Sequence, residues 1–363
     1  MRKILALVTV LAVVALAGTT AAFAEERIAG NSILLSSYQE AVQADNSLTL
    51  ADDDACIAAS DSCEMLYQYC GPRWTVGAGA VIKQRNDMPK MMLAQGAEGE
   101  TMSSSDIDVD WGSGPWLELI RHMDCGWDLE VEYFSIDNYT GTAEAHDSTP
   151  VSPTWYWGQF VFDDLYARYS NDLKSLEFNL RWPLCDNGNL KGIVGVRWTE
   201  LNEELFTRVT LVQGPLIARQ RGMLSLNNNL YSFQLGAEGV LWEPCCQFRV
   251  EGLVKAGIGG NHMNWTLRTN GDLDTRLWDD KGKCQSAFVT EMALMAVYKP
   301  CCNVKVFAGY EAFHLKEVAT VYVQTKYDSN LDHAFYHGVV LGVEFSFGNR
   351  GCGTPCESSF ACE

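Results

Sequence analysis

Basic side chains are scarce in this sequence of 363 residues. It contains 27 Lys and Arg against 46 Asp and Glu, which gives a formal net charge of −19. A protein that binds nucleic acid needs clustered positive charge to neutralise phosphates, so this balance argues against a nucleic-acid partner. The hydrophobic fraction of 47% is also too high for a chain that is disordered throughout.

Beyond its N-terminus, the sequence lacks long apolar runs. A transmembrane helix needs about 20 mostly apolar residues. The charge-free run from Gly222 to Ala237 is interrupted by three consecutive polar residues, Asn227 to Asn229. A membrane form of this chain therefore has to be a closed β-barrel, because an open sheet would leave backbone groups unpaired in lipid.

The N-terminus has the pattern of a secretory signal peptide. Met1-Arg2-Lys3 is basic, Ile4 to Ala17 is apolar, and Ala22-Phe23-Ala24 is a small-x-small site. We predict cleavage after Ala24 and export to a compartment where disulfides persist. The predicted organisation is a signal peptide over 1–24, an extension over 25–70, an outer-membrane β-barrel over 71–348 and a Cys-rich tail over 349–363.

From Trp74 onward, apolar and other residues alternate with a period of two. The clearest case runs from Phe335 to Phe347, where every second residue is apolar or aromatic. Alternation over ten or more residues is typical of long β-strands. We predict about twelve strands: 74–85, 116–123, 127–136, 157–168, 173–182, 190–200, 204–214, 230–242, 247–261, 286–299, 303–315 and 335–347.

Short and long links alternate between these predicted strands. Five links are short, among them 169–172 and 201–203, and five are long. Tight turns that alternate with long loops around an even number of strands are typical of bacterial outer-membrane barrels. The fold class predicted is therefore all-β, a transmembrane antiparallel β-barrel, with Tyr166 and Tyr169 near a strand end in the aromatic girdle. A soluble β-sandwich or propeller is the alternative, and it predicts shorter strands.

The central and C-terminal segments resemble the β-barrel porin family known mainly from planctomycete-type bacteria. The resemblance covers residues 70–348 and implies an outer-membrane barrel of uncharacterised role, with no catalytic residues to carry over. It rests on motifs spread over several strands: 175–181, 195–198, 201–203, 229–239, 255–257, Glu291, Gly309-Tyr310 and 336–338.

Cysteine is abundant. Thirteen Cys are many for a reducing compartment, and an odd number leaves at least one thiol outside a complete disulfide set. If both termini and the short links face the periplasm, eleven of them share that side, and Cys185 and Cys284 lie at the opposite rim. The eleven disulfide candidates are Cys56, Cys63, Cys70, Cys125, Cys245, Cys246, Cys301, Cys302, Cys352, Cys356 and Cys362.

Three interpretations of these cysteines stay open. Disulfides could pin the extension and tail to the turns, the chain could be linked covalently to another envelope protein, or Cys352 and Cys356 could begin a zinc site. No second Cys pair of this spacing accompanies Cys352 and Cys356. The sequence therefore predicts no metal and no other cofactor.

Charged residues on the inner face of the predicted strands are the main candidates for function. If opposite charges meet, they fill the lumen, whereas an excess of acids favours passage of cations. The residues predicted to face the lumen are Asp128, Glu130, Glu132, Glu177, Arg181, Arg197, Glu238, Lys255 and Glu344, together with Lys83.

Two functions follow, from different classes. The first is porin-like passive passage of small solutes with a mild cation preference, and the second is a structural envelope barrel with a plugged lumen, held by disulfides within itself or to other envelope proteins. Catalysis is not expected, since the one Ser and His pair that could serve, His337 and Ser346, lies on opposite faces of a single strand. The partners expected are outer-membrane lipid and envelope proteins.

Overall fold

The computed structural model describes eleven segments of the chain. They are residues 72–86, 92–96, 99–123, 126–153, 162–185, 189–213, 215–245, 247–272, 276–301, 303–321 and 332–348. All of them belong to the second of the two units into which the chain divides, Ser62–Glu363. The predicted signal peptide, the extension over 25–70 and the tail over 349–363 lie outside the described residues.

The described residues form one antiparallel sheet of twelve strands and a short 3-10 turn, Ser104–Asp106. Among them, no helix is long and apolar enough to cross a bilayer. The strands are β1 Trp74–Arg85, β2 Met92–Gly96, β3 Gly99–Ser103, β4 Gly112–His122, β5 Asp128–Pro153, β6 Phe162–Pro183, β7 Leu190–Gln213, β8 Leu216–Cys245, β9 Phe248–Gly271, β10 Arg276–Cys301, β11 Val304–Val318 and β12 Asp332–Phe347.

The sheet closes on itself. Each strand from β6 to β12 pairs with the next, β12 pairs with β1, β1 with β4, β4 with β5, and the β5–β6 pairing completes the cycle. Ten strands therefore form the ring, and β2 and β3 form a hairpin that adds to β5 through Ala94 and Gln95. This cycle of pairings confirms the predicted all-β antiparallel barrel. A closed ring of strands leaves no unpaired edge exposed to lipid.

Large apolar side chains form a belt on the outside of the ring. They lie in the part of each strand next to the short turns, and include Val76, Leu117, Phe178, Phe233, Leu235, Ile258, Leu294 and Val343, which are between 42% and 56% exposed. A strand needs about 9–11 residues to cross the hydrocarbon. Six strands of 22 to 30 residues therefore extend well beyond this belt.

Outside the belt, the outer face of the strands carries many polar residues among a few exposed apolar ones such as Val212 and Ile217. On β6 it carries Ser170 and Asp172, and on β7 it carries Asn202 and Glu204. These residues alternate with buried ones such as Leu173. The outer surface of β6 and β7 thus changes from mainly apolar to mainly polar along the strand, as expected where it leaves the bilayer.

Two predicted turns were wrong for this reason. Residues 169–172 lie inside β6, and residues 201–203 lie inside β7. Their polar outward side chains resemble turn residues in sequence, although the strands continue through them. The predicted runs 157–168 and 173–182 therefore belong to one strand, as do 190–200 and 204–214, and Tyr169 is fully buried in the lumen instead of lying in an interfacial girdle.

This merging also corrects the position of one cysteine. Because β6 crosses the barrel once, Cys185 lies directly after its end, next to the β4–β5 turn, where Gly126 approaches Pro183. Cys185 therefore lies at the short-turn end, and not at the opposite rim as predicted. Cys301, exposed at the end of β10, and Cys245, at the end of β8, also lie at the short-turn end, whereas the other nine disulfide candidates lie outside the described residues.

Candidate functional site

The lumen contains a cluster of seven charged residues about halfway along the barrel axis. We call it the central cluster; it consists of Lys83, Glu132, Glu177, Arg197, Lys255, Glu291 and Glu311. Six of the seven are less than 7% exposed. The seven residues come from seven different strands. Each faces the lumen because every second side chain of a strand points to the same side of the sheet.

Ion pairs of the central cluster cross the lumen. Arg197 on β7 binds Glu177 on the neighbouring β6 and Glu291 on β10. The Nζ of Lys255 on β9 lies 3.0 Å from Glu177 and 3.3 Å from both Glu132 on β5 and Glu291. Since β5 and β9, and likewise β7 and β10, are three or four strands apart in the ring, these bonds cross the lumen.

Aromatic rings pack on both sides of the central cluster. Trp116 and Phe307 meet edge to face at 5.1 Å on the short-turn side, and Phe134 and Phe313 meet at 5.7 Å on the other. The ammonium of Lys83 lies 4.3 Å from the centroid of Phe134. Cation–π contacts of this kind stabilise a desolvated charge that also has an ionic partner, and Lys83 is paired with Glu311.

Glycine makes room for this packing at one position. A Cβ on Gly77 would lie 2.8 Å from the ring of Trp116, which is too close for any real contact. The Gly at 77 therefore allows the indole to lie across the inner wall.

Beyond the aromatic rings, three tyrosines and a backbone segment fill the lumen. Tyr139, Tyr169 and Tyr336 are all fully buried, and Asn171 donates to the hydroxyls of Tyr169 and Tyr336 at 3.0 and 2.7 Å. The hydroxyl groups of these three tyrosines are therefore buried. The tyrosine layer separates the central cluster from the long-loop end of the barrel.

The backbone segment is the strap, Glu317–Val321, which begins with the last two residues of β11. Its last three residues are at most 1% exposed. The Asn228 side chain accepts from the N–H of Ala319 at 2.8 Å and donates to its carbonyl at 2.9 Å, and Glu203 accepts from the N–H of Val321 at 2.9 Å. Glu317 has a φ of +64°, a left-handed conformation uncommon outside glycine, at the point where the chain turns inward.

Asn228→Ala should loosen the strap. The change leaves the N–H and carbonyl of Ala319 buried without these partners, so the free energy of unfolding should fall by about 1–3 kcal/mol. Urea unfolding followed by the shift in gel mobility between folded and unfolded barrel measures this. Asn264→Ala on the outer face is the control, and an equal loss in both variants would contradict the anchoring role of Asn228.

All nine residues predicted to face the lumen lie on its inner wall. Glu132, Glu177, Arg197 and Lys255 belong to the central cluster. Asp128, Glu130, Arg181, Glu238 and Glu344 lie nearer the short turns, where Arg181 bonds to Glu130 and lies 2.8 Å from Glu238. Inward charges that the prediction did not include are Arg85, Glu118, Lys191, Glu203, Arg249, Glu251, Glu291, Lys305 and Glu311.

The same period of two could have identified several of these residues. Glu118 alternates with Leu117 and Leu119, which face outward, and Glu311 alternates with the exposed Tyr310. Glu203 was interpreted as part of a turn, so its inward direction could not be predicted.

Three carboxylates of the central cluster have the spacing of a metal site. Oxygens of Glu132, Glu177 and Glu291 lie within 4.8 Å of one another. The ammonium of Lys255 lies at hydrogen-bonding or ion-pair distance from all three. The protein's own cation thus neutralises this group of acids.

The closed ring, its apolar belt and its charged interior define a transmembrane β-barrel of the outer-membrane type. No family model matches the sequence, and no curated protein matches it. The resemblance to the planctomycete-type porin family stays a prediction.

Several solved barrels match the chain at low similarity. The outer membrane protease OmpT from Escherichia coli has 9% identity, covers 76% of this chain and 96% of its own, and gives a TM-score of 0.39. A FadL homologue from Pseudomonas aeruginosa has 9% identity, with 76% and 90% covered and a TM-score of 0.25. An anion-selective porin from Comamonas acidovorans has 9% identity, with 76% and 98% covered and a TM-score of 0.16.

Proposed function

We propose that this chain is an exported outer-membrane barrel with a closed lumen and a structural role in the cell envelope. The observation that carries the proposal is the set of ion pairs across the central cluster. Arg197 and Lys255 each bind acids across the lumen on strands that are not their neighbours, so these side chains lie across its cross-section.

The ring size supports this function. A small barrel has an interior that side chains can fill, whereas a wide aqueous channel needs more strands. Here ten strands close the ring, and the rings of Phe134 and Phe313 and the strap Glu317–Val321 add further layers to the charged one. A solute would have to displace all three layers in turn.

Passive passage with a cation preference is the second candidate. It is favoured by the excess of acids in the central cluster, where four carboxylates face three cations. For a cation to pass, however, the pairs of Arg197 and Lys255 would have to open, and breaking a buried pair is costly because it leaves charge unpaired.

Planar-bilayer recording separates the two candidates. We expect the purified, folded barrel to insert without stepwise currents, while a conducting porin in the same bilayer gives steps and so validates the assay. Folding is verified beforehand by the change in gel mobility on heating. Stepwise currents with a cation bias from this protein would instead favour passage and overturn the closed lumen.

A further inference from the structure

Two cavities lie on the short-turn side of the central cluster. Their volumes are about 100 and 220 Å³, which is room for several water molecules or a small organic molecule. They share six lining residues: Glu118, Arg181, Glu238, Glu251, Lys305 and Glu344. We call the two together the vestibule.

One acid of the vestibule has only a distant cationic partner, which it shares with other acids. Glu118 lies 3.6 Å from Arg181, but Arg181 already bonds to Glu130 and Glu238. Lys305 pairs with Glu344 at 2.7 Å. Lys191 and Arg249, which also line the second cavity, pair with other acids. Of the acids in this part of the lumen, Glu118 therefore lies farthest from its nearest cation.

The second carboxylate oxygen of Glu118 has no hydrogen-bond partner among the described residues. The atom is buried, the side chain is only 8% exposed, and the residue lines both cavities. A buried carboxylate oxygen left without a donor costs free energy. The carboxylate of Glu118, at the wall of both cavities, is therefore an acceptor group that a cationic donor in the vestibule would satisfy.

The deeper cavity also has an apolar wall. It is lined by Trp116, Phe307, Met295, Val297 and Val340. The Nζ of Lys305 lies 5.7 Å from the ring centroid of Phe307, so an ammonium group already lies near this ring. Aromatic faces attract cations and cover alkyl chains equally well.

We propose that the vestibule is a binding site for a small primary alkylammonium ion. The ammonium donates to the carboxylate of Glu118, and the alkyl chain lies against Trp116 and Phe307. This goes beyond the closed-lumen function and does not depend on conduction. An anion would be repelled by the carboxylate of Glu118. A bare metal ion would need several oxygens around it, and among the described residues Glu118 belongs to no group of three acids with metal-ligand spacing.

Saturation-transfer NMR with n-butylammonium chloride tests the site on the full-length protein in non-ionic detergent. We expect a saturable signal from the methylene protons of the amine. Glu118→Gln should weaken the apparent affinity at least tenfold, whereas Glu144→Gln, which removes an exposed acid elsewhere on β5, should leave it unchanged. Butan-1-ol, which has the same chain and no charge, should give no saturable signal.

A second variant keeps the test independent of the charge at position 118. Val340→Phe fills the deeper cavity and should abolish amine binding with Glu118 intact. Both variants are first checked for folding by heat-dependent gel mobility. Equal binding in wild type and Glu118→Gln, saturable binding of butan-1-ol, or no saturable binding of the amine to wild type would each overturn the proposal, the last leaving a vestibule that holds water only.

Discussion

Arg197→Met should lower the free energy of unfolding by about 3–5 kcal/mol, because removing one partner of a buried ion pair leaves the other charges uncompensated. Arg197 is 2% exposed, and its guanidinium binds both Glu177 and Glu291. Without it, four carboxylates of the central cluster share only Lys83 and Lys255. Equilibrium unfolding in urea, followed by tryptophan fluorescence and gel mobility, measures the loss.

Arg168→Met is the matched control. Arg168 faces outward beyond the belt, 3.8 Å from Glu204, with half of its side chain exposed. An exposed pair of this kind contributes about 0–1 kcal/mol, so the control should change stability little. Glu291→Gln added to Arg197→Met should recover part of the loss, since it removes one of the orphaned charges. Equal losses in Arg197→Met and Arg168→Met would mean that the central cluster is solvated and open.

Filling a barrel with buried charges costs free energy, because each charge loses its hydration. Apolar residues of similar volume are often as stabilising as a buried ion pair or more so. The ion pairs of Arg197 and Lys255 add specificity, because each cationic side chain has to meet acids from particular strands. We therefore expect the central cluster to favour the observed arrangement of ten strands over other registers, in which these charges would be buried without partners.

The period of two was enough to predict the class of fold and the inner face of the strands. Leu129, Val131 and Phe178 lie on the outside, and Glu130 and Glu177 lie on the inside, as the alternation implies. The alternation within one strand is enough for this prediction, because a residue's position in its own strand decides whether its side chain points inward or outward.

The pairing of the inward charges could not be predicted in the same way. Whether Lys255 meets Glu132 depends on the register of every strand between β5 and β9, and a slip of one residue reverses all faces. The lengths of the strands could not be predicted from the sequence either. Where β6 and β7 leave the lipid, their outer residues are polar, so Ser170 and Asn202 resemble turns although the backbone pairing continues.

Leu235→Arg should lower the free energy of unfolding by about 2–4 kcal/mol, the cost of an arginine facing the hydrocarbon near the middle of the bilayer. Leu235 is 56% exposed on β8, and its outward neighbours Tyr231 and Phe233 are also exposed. In a soluble barrel such a change would expose a charge in place of an apolar group and would cost little. Urea unfolding from phospholipid vesicles measures the difference.

Ser225→Arg is the control that isolates the effect of lipid. Ser225 lies on the same face of the same strand, ten residues nearer the long-loop end, where the outer surface is polar. A surface substitution there should change stability by no more than about 0.5 kcal/mol. Because both variants carry the same new charge on the same strand, only the surroundings of the two positions differ. Similar effects at the two positions would mean that the apolar belt does not face lipid, and the membrane assignment would fail with it.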